Sequence, residues 1–500
     1  MRTNRCCAFM LSSLALVMMA APVYGASSPD AGRRDLDAIG APIQAMPVDS
    51  AIARALTGIS PVQIQHTIAG LVEFRNRSTL SSMDKDLPPG TGINAAADWI
   101  EGQFKQIAAE CGGCLEVHRD TFTQAPGTGA NARITQPTTL TNIYAILRGT
   151  DAAQAQRMIL VTGHYDSRDS SNFDSHGEAP GANDDASGVA VSLACARALS
   201  KMKLPATLVF VTVAGEEQGL YGSKHLAELA KQENWQLEAV LNNDIVGGNT
   251  TPGDQFQDKH AVRVFSENVP ASATPEEMRR ILALGYESDS PSRELARAVT
   301  YTARTYTDAA PLMTRVAPVL EFRRDRFLRG GDHSSFNEEG FAAVRFTEWR
   351  EDFNHQHQNV RVENGVQYGD LLKYVDFDYV ARVARLNAAT MAVLASAPPE
   401  PVSVKYPPAG PVFDNSLNNT TITWADAPGA GAKTKYEIVW RETAAPDWQR
   451  SISADKAGAT QDAGKWSVTL PVSKDNVIFG VRSVDAAGHR SPAVVPMPGR

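Results

Sequence analysis

TLVFVTVAGEEQGLYGS, residues 207–223, decides how the chain is read. Its first seven residues are β-branched or large and apolar, without polar alternation. That pattern predicts a strand buried on both faces, as in the middle of a parallel sheet. Two acids, Glu216 and Glu217, follow at once, and Gly219 comes next. A glutamate pair is ordinarily solvated surface. At the C-terminal end of a buried strand, where open α/β sheets build their sites, it becomes a site candidate. Adjacent side chains of an extended segment diverge, so one can bind a metal while the other serves as general base.

On either side, strand-like runs at 139–147, 158–162, 239–245 and 341–346 alternate with helical patterns. The helices are expected at 95–108, 187–199 (with Ser187 as its cap), 226–231, 294–304 and 379–395. The alternation predicts an α/β fold, a mainly parallel central sheet flanked by helices. Composition changes near Ala397, where APPEPVSVKYPPAGP begins a Pro-rich linker, 398–412. Beyond it, short alternating runs at 421–424, 436–440, 466–470 and 477–484 predict an all-β sandwich over 413–500.

With 500 residues, 43% hydrophobic and 21% charged, the chain is globular and too long for one core. A net charge of −8 without a basic run argues against nucleic-acid partners. Arg2 and Arg5 precede an apolar run at 8–21 and small residues at Gly25 and Ala26, which predicts an export signal over 1–25. That run is short for a bilayer and no later one is longer, so stable membrane insertion is not expected. The chain is expected to be secreted or periplasmic, with a polar leader or strap over 26–59. Cys6 and Cys7 leave with the signal. Cys111 and Cys114, in CGGC, form either a small disulfide or a metal or redox pair, and export favours the disulfide. Cys195 reads as a buried free thiol.

Five segments carry the chemistry: GHYDS (163–167), GANDDASG (181–188), AGEEQGLYGS (214–223), NNDIVGG (242–248) and GGDHSSF (330–336). Each alone is weak; the five in order, at plausible strand ends, are specific. Amide hydrolysis needs an activated water, a polarised carbonyl and a proton carrier, and two close divalent metals supply the first two. Zinc accepts imidazole and carboxylate. The expected arrangement has Asp184 as bridge, His164 and Asp244 on one ion, and Glu217 and His333 on the other. Glu216 is the expected base, and Asp166 orients the His164 imidazole. His355 and His357, in FNHQHQ, could line the pocket or bind substrate, but neither is read as a site residue. His176 lies near the site without a role, and the remaining histidines are read as ordinary surface or core residues.

As a set, the segments resemble the co-catalytic zinc exopeptidases related to secreted bacterial aminopeptidases, aminopeptidase Y and the glutamate carboxypeptidases. The resemblance covers residues 60–397. It implies two Zn²⁺ ions on His164, Asp184, Glu217, Asp244 and His333, with Glu216 as general base and Asp166 in support. Glutaminyl cyclases share the fold but use one zinc, and the complete ligand set argues against them. Trp424, Tyr436 and FGVRSVDAAGHRS (479–491) make the last segment resemble a fibronectin type III domain. The expected function is an exported metallo-aminopeptidase acting on peptides or proteins. A carboxypeptidase or dipeptidase on the same centre is the alternative, since Arg323, Arg324, Arg326 and Arg329 could hold a carboxylate. A dead, adhesion-like relative is disfavoured by the intact ligands and base.

Overall fold

The computed structural model describes residues 34–130, 132–307, 315–407 and 418–499. The expected signal segment, the start of the leader and residues 408–417 around the linker's end lie outside these. The main body is built on eight strands: β1 (Leu115–Gln124), β2 (Thr138–Leu147), β3 (Arg157–His164), β4 (Thr207–Val213), β5 (Gln236–Asn243), β6 (Ala261–Ser266), β7 (Ala317–Glu321) and β8 (Ala343–Glu348). They form one sheet in the order β1-β2-β4-β3-β5-β8-β6-β7. The centre, β4-β3-β5-β8, is parallel. β1, β2 and β6 pair antiparallel toward the edges, so the sheet is mixed around a parallel middle.

β3 and β4 are buried along their whole length, as continuous apolar runs require. One face of the sheet is covered by α1 (Ala186–Leu199) and α3 (Phe377–Ser396), whose small and aliphatic residues share one core with β3 and β4. α2 (Pro291–Tyr306) packs beside α3 and meets β6, β7 and β8. Helix Tyr221–Gln232 covers the other face through Leu226 and Ala227. β1 gave no sequence signal because it is a half-exposed edge strand, with Glu116, Arg119 and Thr121 among its residues. The cap of α1 is Asp185, which accepts from Gly188 N, not Ser187; the Ser187 hydroxyl donates to Asn183 O. Cys111 and Cys114 are joined in a disulfide, and Cys195 is free and buried. No described helix is long and apolar enough to cross a membrane.

The C-terminal segment is a sandwich of two sheets whose core holds Trp424, Tyr436, Trp440 and Phe479. Two boundaries differ from expectation. The Pro-rich segment carries a strand of the sandwich, Val402–Tyr406, paired with Thr420–Ala425 and Met497–Pro498. Its alternating Val404 and Tyr406 are buried, which the flanking prolines masked in the sequence. The leader runs onto the sandwich: Leu36 enters its core, and Ala41 pairs with Ser451.

Candidate active site

Five chain segments meet at one edge of the sheet's parallel centre. His164 ends β3, Glu216 and Glu217 follow β4, and Asp244 follows β5. Asp184 precedes α1, and a loop after β8 brings His357. Strand and helix approach closely here. A Cβ on Gly163 would lie 2.5 Å from the Gly188 carbonyl carbon. The turn after β4 needs Gly215 at φ 79°, a conformation that glycine adopts without strain. Glu216 and Glu217 occupy the first turn of a short helix, Glu216–Gly219, rather than an extended segment, and their side chains still diverge.

Two groups of side chains are close enough to share an ion: His164 with Glu216 and Asp244, and Asp184 with Glu217 and His357. Asp184 faces both. Its Oδ1 is 3.2 Å from His164 Nε2, and its Oδ2 is 2.9 Å from His357 Nε2. Asp244 Oδ1 lies 3.8 Å from His164 Nε2, and Glu217 Oε1 lies 2.9 Å from His357 Nε2. Four of the five expected ligands are thus assembled, with Asp184 between the two histidines.

His333 is the exception. It opens a short helix, His333–Glu338, and is fully buried with Nε2 2.8 Å from the Arg324 carbonyl and 3.7 Å from Asp325. Burial lowers its pKa to about 4, and it belongs to neither of the two groups. His357 stands where His333 was expected. Its only signal was a second histidine in a polar loop after a strand, too weak to displace a histidine already matched to a motif. The neighbour of His333, Asp332, is wholly buried; burial raises its pKa to about 7.

Asp166 does more than orient one imidazole. His164 Nδ1 is 3.1 Å from its carbonyl and 3.4 Å from its Oδ1. Its carboxylate also accepts the Glu217 amide at 3.1 Å and the Thr79 hydroxyl at 3.1 Å. The same side chain therefore fixes the ends of β3 and β4 against each other. Asp185 is no member of either group; its Oδ2 accepts the His164 backbone amide at 3.1 Å. Arg345, fully buried, has Nη2 2.8 Å from Asp244 Oδ1, and Arg168 Nε donates to Glu217 Oε2 at 2.8 Å.

The electrostatics fit a cation. Burial disfavours a charged His164, yet Asp166, Asp184 and Asp244 hold its pKa well above the usual imidazole range. Burial acts likewise on His357, and Glu217 and Asp184 outweigh it, raising it to about 10. The carboxylates thus retain positive charge at both places, which a divalent ion supplies more fully. His164 Nε2 is also buried without a hydrogen-bond partner, as a ligand nitrogen aimed at an ion would be. Burial raises Glu216 well above the carboxylate range, the environment of a proton carrier.

Residues 142–364 match the model of peptidase family M28. A probable zinc metalloprotease of Pyrenophora tritici-repentis is 40% identical over 465 residues, covering 92% of this chain and 90% of the relative. The chain belongs to peptidase family M28. Another probable zinc metalloprotease, from Pyricularia oryzae, is 42% identical over 468 residues, covering 92% of this chain and 87% of its own. The solved Legionella pneumophila LapA aminopeptidase is similar at 20% identity and TM-score 0.46, covering 76% of this chain and 80% of its own.

Proposed function

We propose that this M28 peptidase is an exported exopeptidase with two zinc ions on His164, Asp184, Glu217, Asp244 and His357, and with Glu216 as general base. The observation that carries the reading is Asp184, which offers one oxygen to each group while a histidine stands beyond each. The relatives' description as zinc metalloproteases supports the choice of metal, as do the imidazole and carboxylate donors. Bound there, zinc would polarise the scissile carbonyl and lower the pKa of the attacking water.

Glu216 takes the water's proton and hands it to the leaving nitrogen, a role suited to a carboxyl whose pKa burial has raised. Asp166 is a positioning residue: it holds the His164 ring and the Glu217 amide together. The resemblance to secreted aminopeptidases favours cleavage at a free N-terminus. The arginines around the cavity favour, as a second reading, a carboxypeptidase or dipeptidase. The signal-like start supports export, and the C-terminal sandwich fits a fibronectin type III-like module.

Metal analysis of the purified chain should find about two zinc ions, with activity lost on chelation and restored by zinc or cobalt. Glu216→Gln should lower turnover by about 10²–10⁴ while keeping its zinc. Full activity at one zinc per chain would overturn the two-ion centre, and normal turnover in Glu216→Gln would overturn the assignment of the base.

A further inference from the structure

The cavity over the site has a volume of about 630 Å³, within the range that encloses a small peptide. Its charged lining divides into two sets. All four of its carboxylates, Asp184, Glu216, Glu217 and Asp244, belong to the catalytic cluster. Among the described residues, the other charged side chains of the lining, His357 aside, are Arg133, Arg168, Arg326 and Arg329.

Two of these arginines already have acidic partners. Arg168 donates to Glu217, and Arg326 pairs with Asp325 and, at 2.8 Å, with Glu351. The other two do not. Arg133 donates to the Glu217 carbonyl and, among the described residues, meets no carboxylate. The Arg329 guanidinium lies 6.0 Å from the Phe353 ring centre and also meets none. Arg133 is half-buried and Arg329 exposed, and they arrive on separate loops, before β2 and before the His333 helix.

We propose that Arg133 and Arg329 select substrates carrying a carboxylate within one residue of the scissile bond. The inference rests on the peptidase site proposed above and names its substrate class. Two divalent ions would neutralise the four carboxylates and leave the arginines as uncompensated positive charge facing the ligand. A guanidinium offers a planar fork that matches a carboxylate with two parallel hydrogen bonds. A lysine or arginine side chain beside the scissile bond would meet like charge and find no spare acid. The carboxylate has two sources, the C-terminal α-carboxylate of a dipeptide or an acidic side chain.

Binding, measured apart from turnover, tests this. Full-length, zinc-loaded Glu216→Gln protein is titrated by calorimetry with Leu-Leu, Leu-Leu-amide and Leu-Glu-amide. At least one carboxylate-bearing peptide should bind about tenfold more tightly than Leu-Leu-amide, which corresponds to about 1.4 kcal/mol. A preference for Leu-Leu identifies the α-carboxylate, and one for Leu-Glu-amide the side chain. Adding Arg133→Gln and Arg329→Gln together should bring the ratio near one, and Arg329→Gln alone, at an exposed position, should lower it part-way. Equal binding of all three peptides overturns the inference. A preference that survives loss of both arginines also overturns it, because the carboxylate is then held by the metal. Protein with active Glu216 that cuts none of the peptides, yet shows the arginine-dependent preference, would fail as a peptidase while the recognition stands.

Discussion

Replacing His357 and His333 by alanine separates a ligand from a structural histidine. His357→Ala removes a nitrogen that faces both Asp184 and Glu217, so it should lose about one metal equivalent and most turnover. His333→Ala should keep its metal. It leaves a partly buried carbonyl without its partner and empties a fully buried site, and should lower stability by about 1–3 kcal/mol. Metal content and thermal unfolding of the two variants check this, and metal loss in His333→Ala would restore the original assignment. The residue types and four of the five segments were legible in the sequence; which histidine, His333 of GGDHSSF or His357 of FNHQHQ, turns inward was not. That choice depends on a carbonyl nine residues away, at Arg324, and on where the loop after β8 returns. Glu267 offers a test of pH dependence away from the metal. Burial, only partly offset by the Ala271 amide and nearby arginines, raises it from 4.5 to about 7. Its folded pKa exceeds its unfolded one, so its contribution to stability is full below about pH 4.5 and is lost as pH rises to about 7. The loss is roughly 3 kcal/mol. Glu267→Gln, which cannot ionise, should flatten the stability profile across that window, as read by denaturant unfolding between pH 4 and 8. An unchanged slope would mean that Glu267 is already charged at pH 5.

At the scale of elements, the fully buried pieces were the readable ones. β4 falls where its apolar run is, and α3 extends the expected helix by two residues at one end and one at the other. β1, β6 and β7 were missed: β1 and β7 are half-exposed edge strands, and β6 is short and interrupted by Arg263. Polar residues within β1 and β6 and the shortness of β7 hide the alternation that periodicity needs. What positions the site is closer packing than any pattern reveals. The Cβ of a Gly163→Ala variant would meet backbone atoms of Gly188 and Val189 at 2.5–2.9 Å, and no flexible side chain stands there to yield. Forcing β3 from α1 should cost about 1–3 kcal/mol. It should also displace the adjacent His164 relative to Asp184, so turnover should fall along with the melting temperature. A variant that matches the parent in both would show that strand and helix have room to spare.

The whole molecule departs most from the modular picture that the Pro-rich linker suggested. A peptidase body joined to a separate sandwich by a linker would survive truncation near Ala397, since no site residue lies beyond it. The contacts predict otherwise. Trp448 of the sandwich donates its indole N–H to Glu294 on α2 at 2.9 Å, and its backbone amide donates to the Tyr301 hydroxyl at 3.0 Å. Arg441 pairs with the Asp289 side chain, which also meets Arg297, and Arg297 donates to the Pro446 carbonyl at 2.7 Å. The Glu294, Arg297 and Arg441 side chains are almost fully buried, so removing the sandwich strips partners from charges that cannot be left unpaired at little cost. Breaking one buried pair costs about 3–5 kcal/mol, a large part of a domain's whole stability. Tyr301 would also lose the apolar cover of Trp448, Ile478 and Ala493. The leader adds a second tie, running from Leu36 in the sandwich core to Met46, whose amide donates to Thr305 on α2. A chain ending at Ala397 should therefore be insoluble or melt far below the full-length protein, and it should lose activity through unfolding rather than through loss of a pocket residue. Restoring the sandwich as a separate polypeptide should recover part of both. A truncated chain that melts with the parent and keeps its turnover would show that this buried ion cluster contributes nothing to the peptidase body.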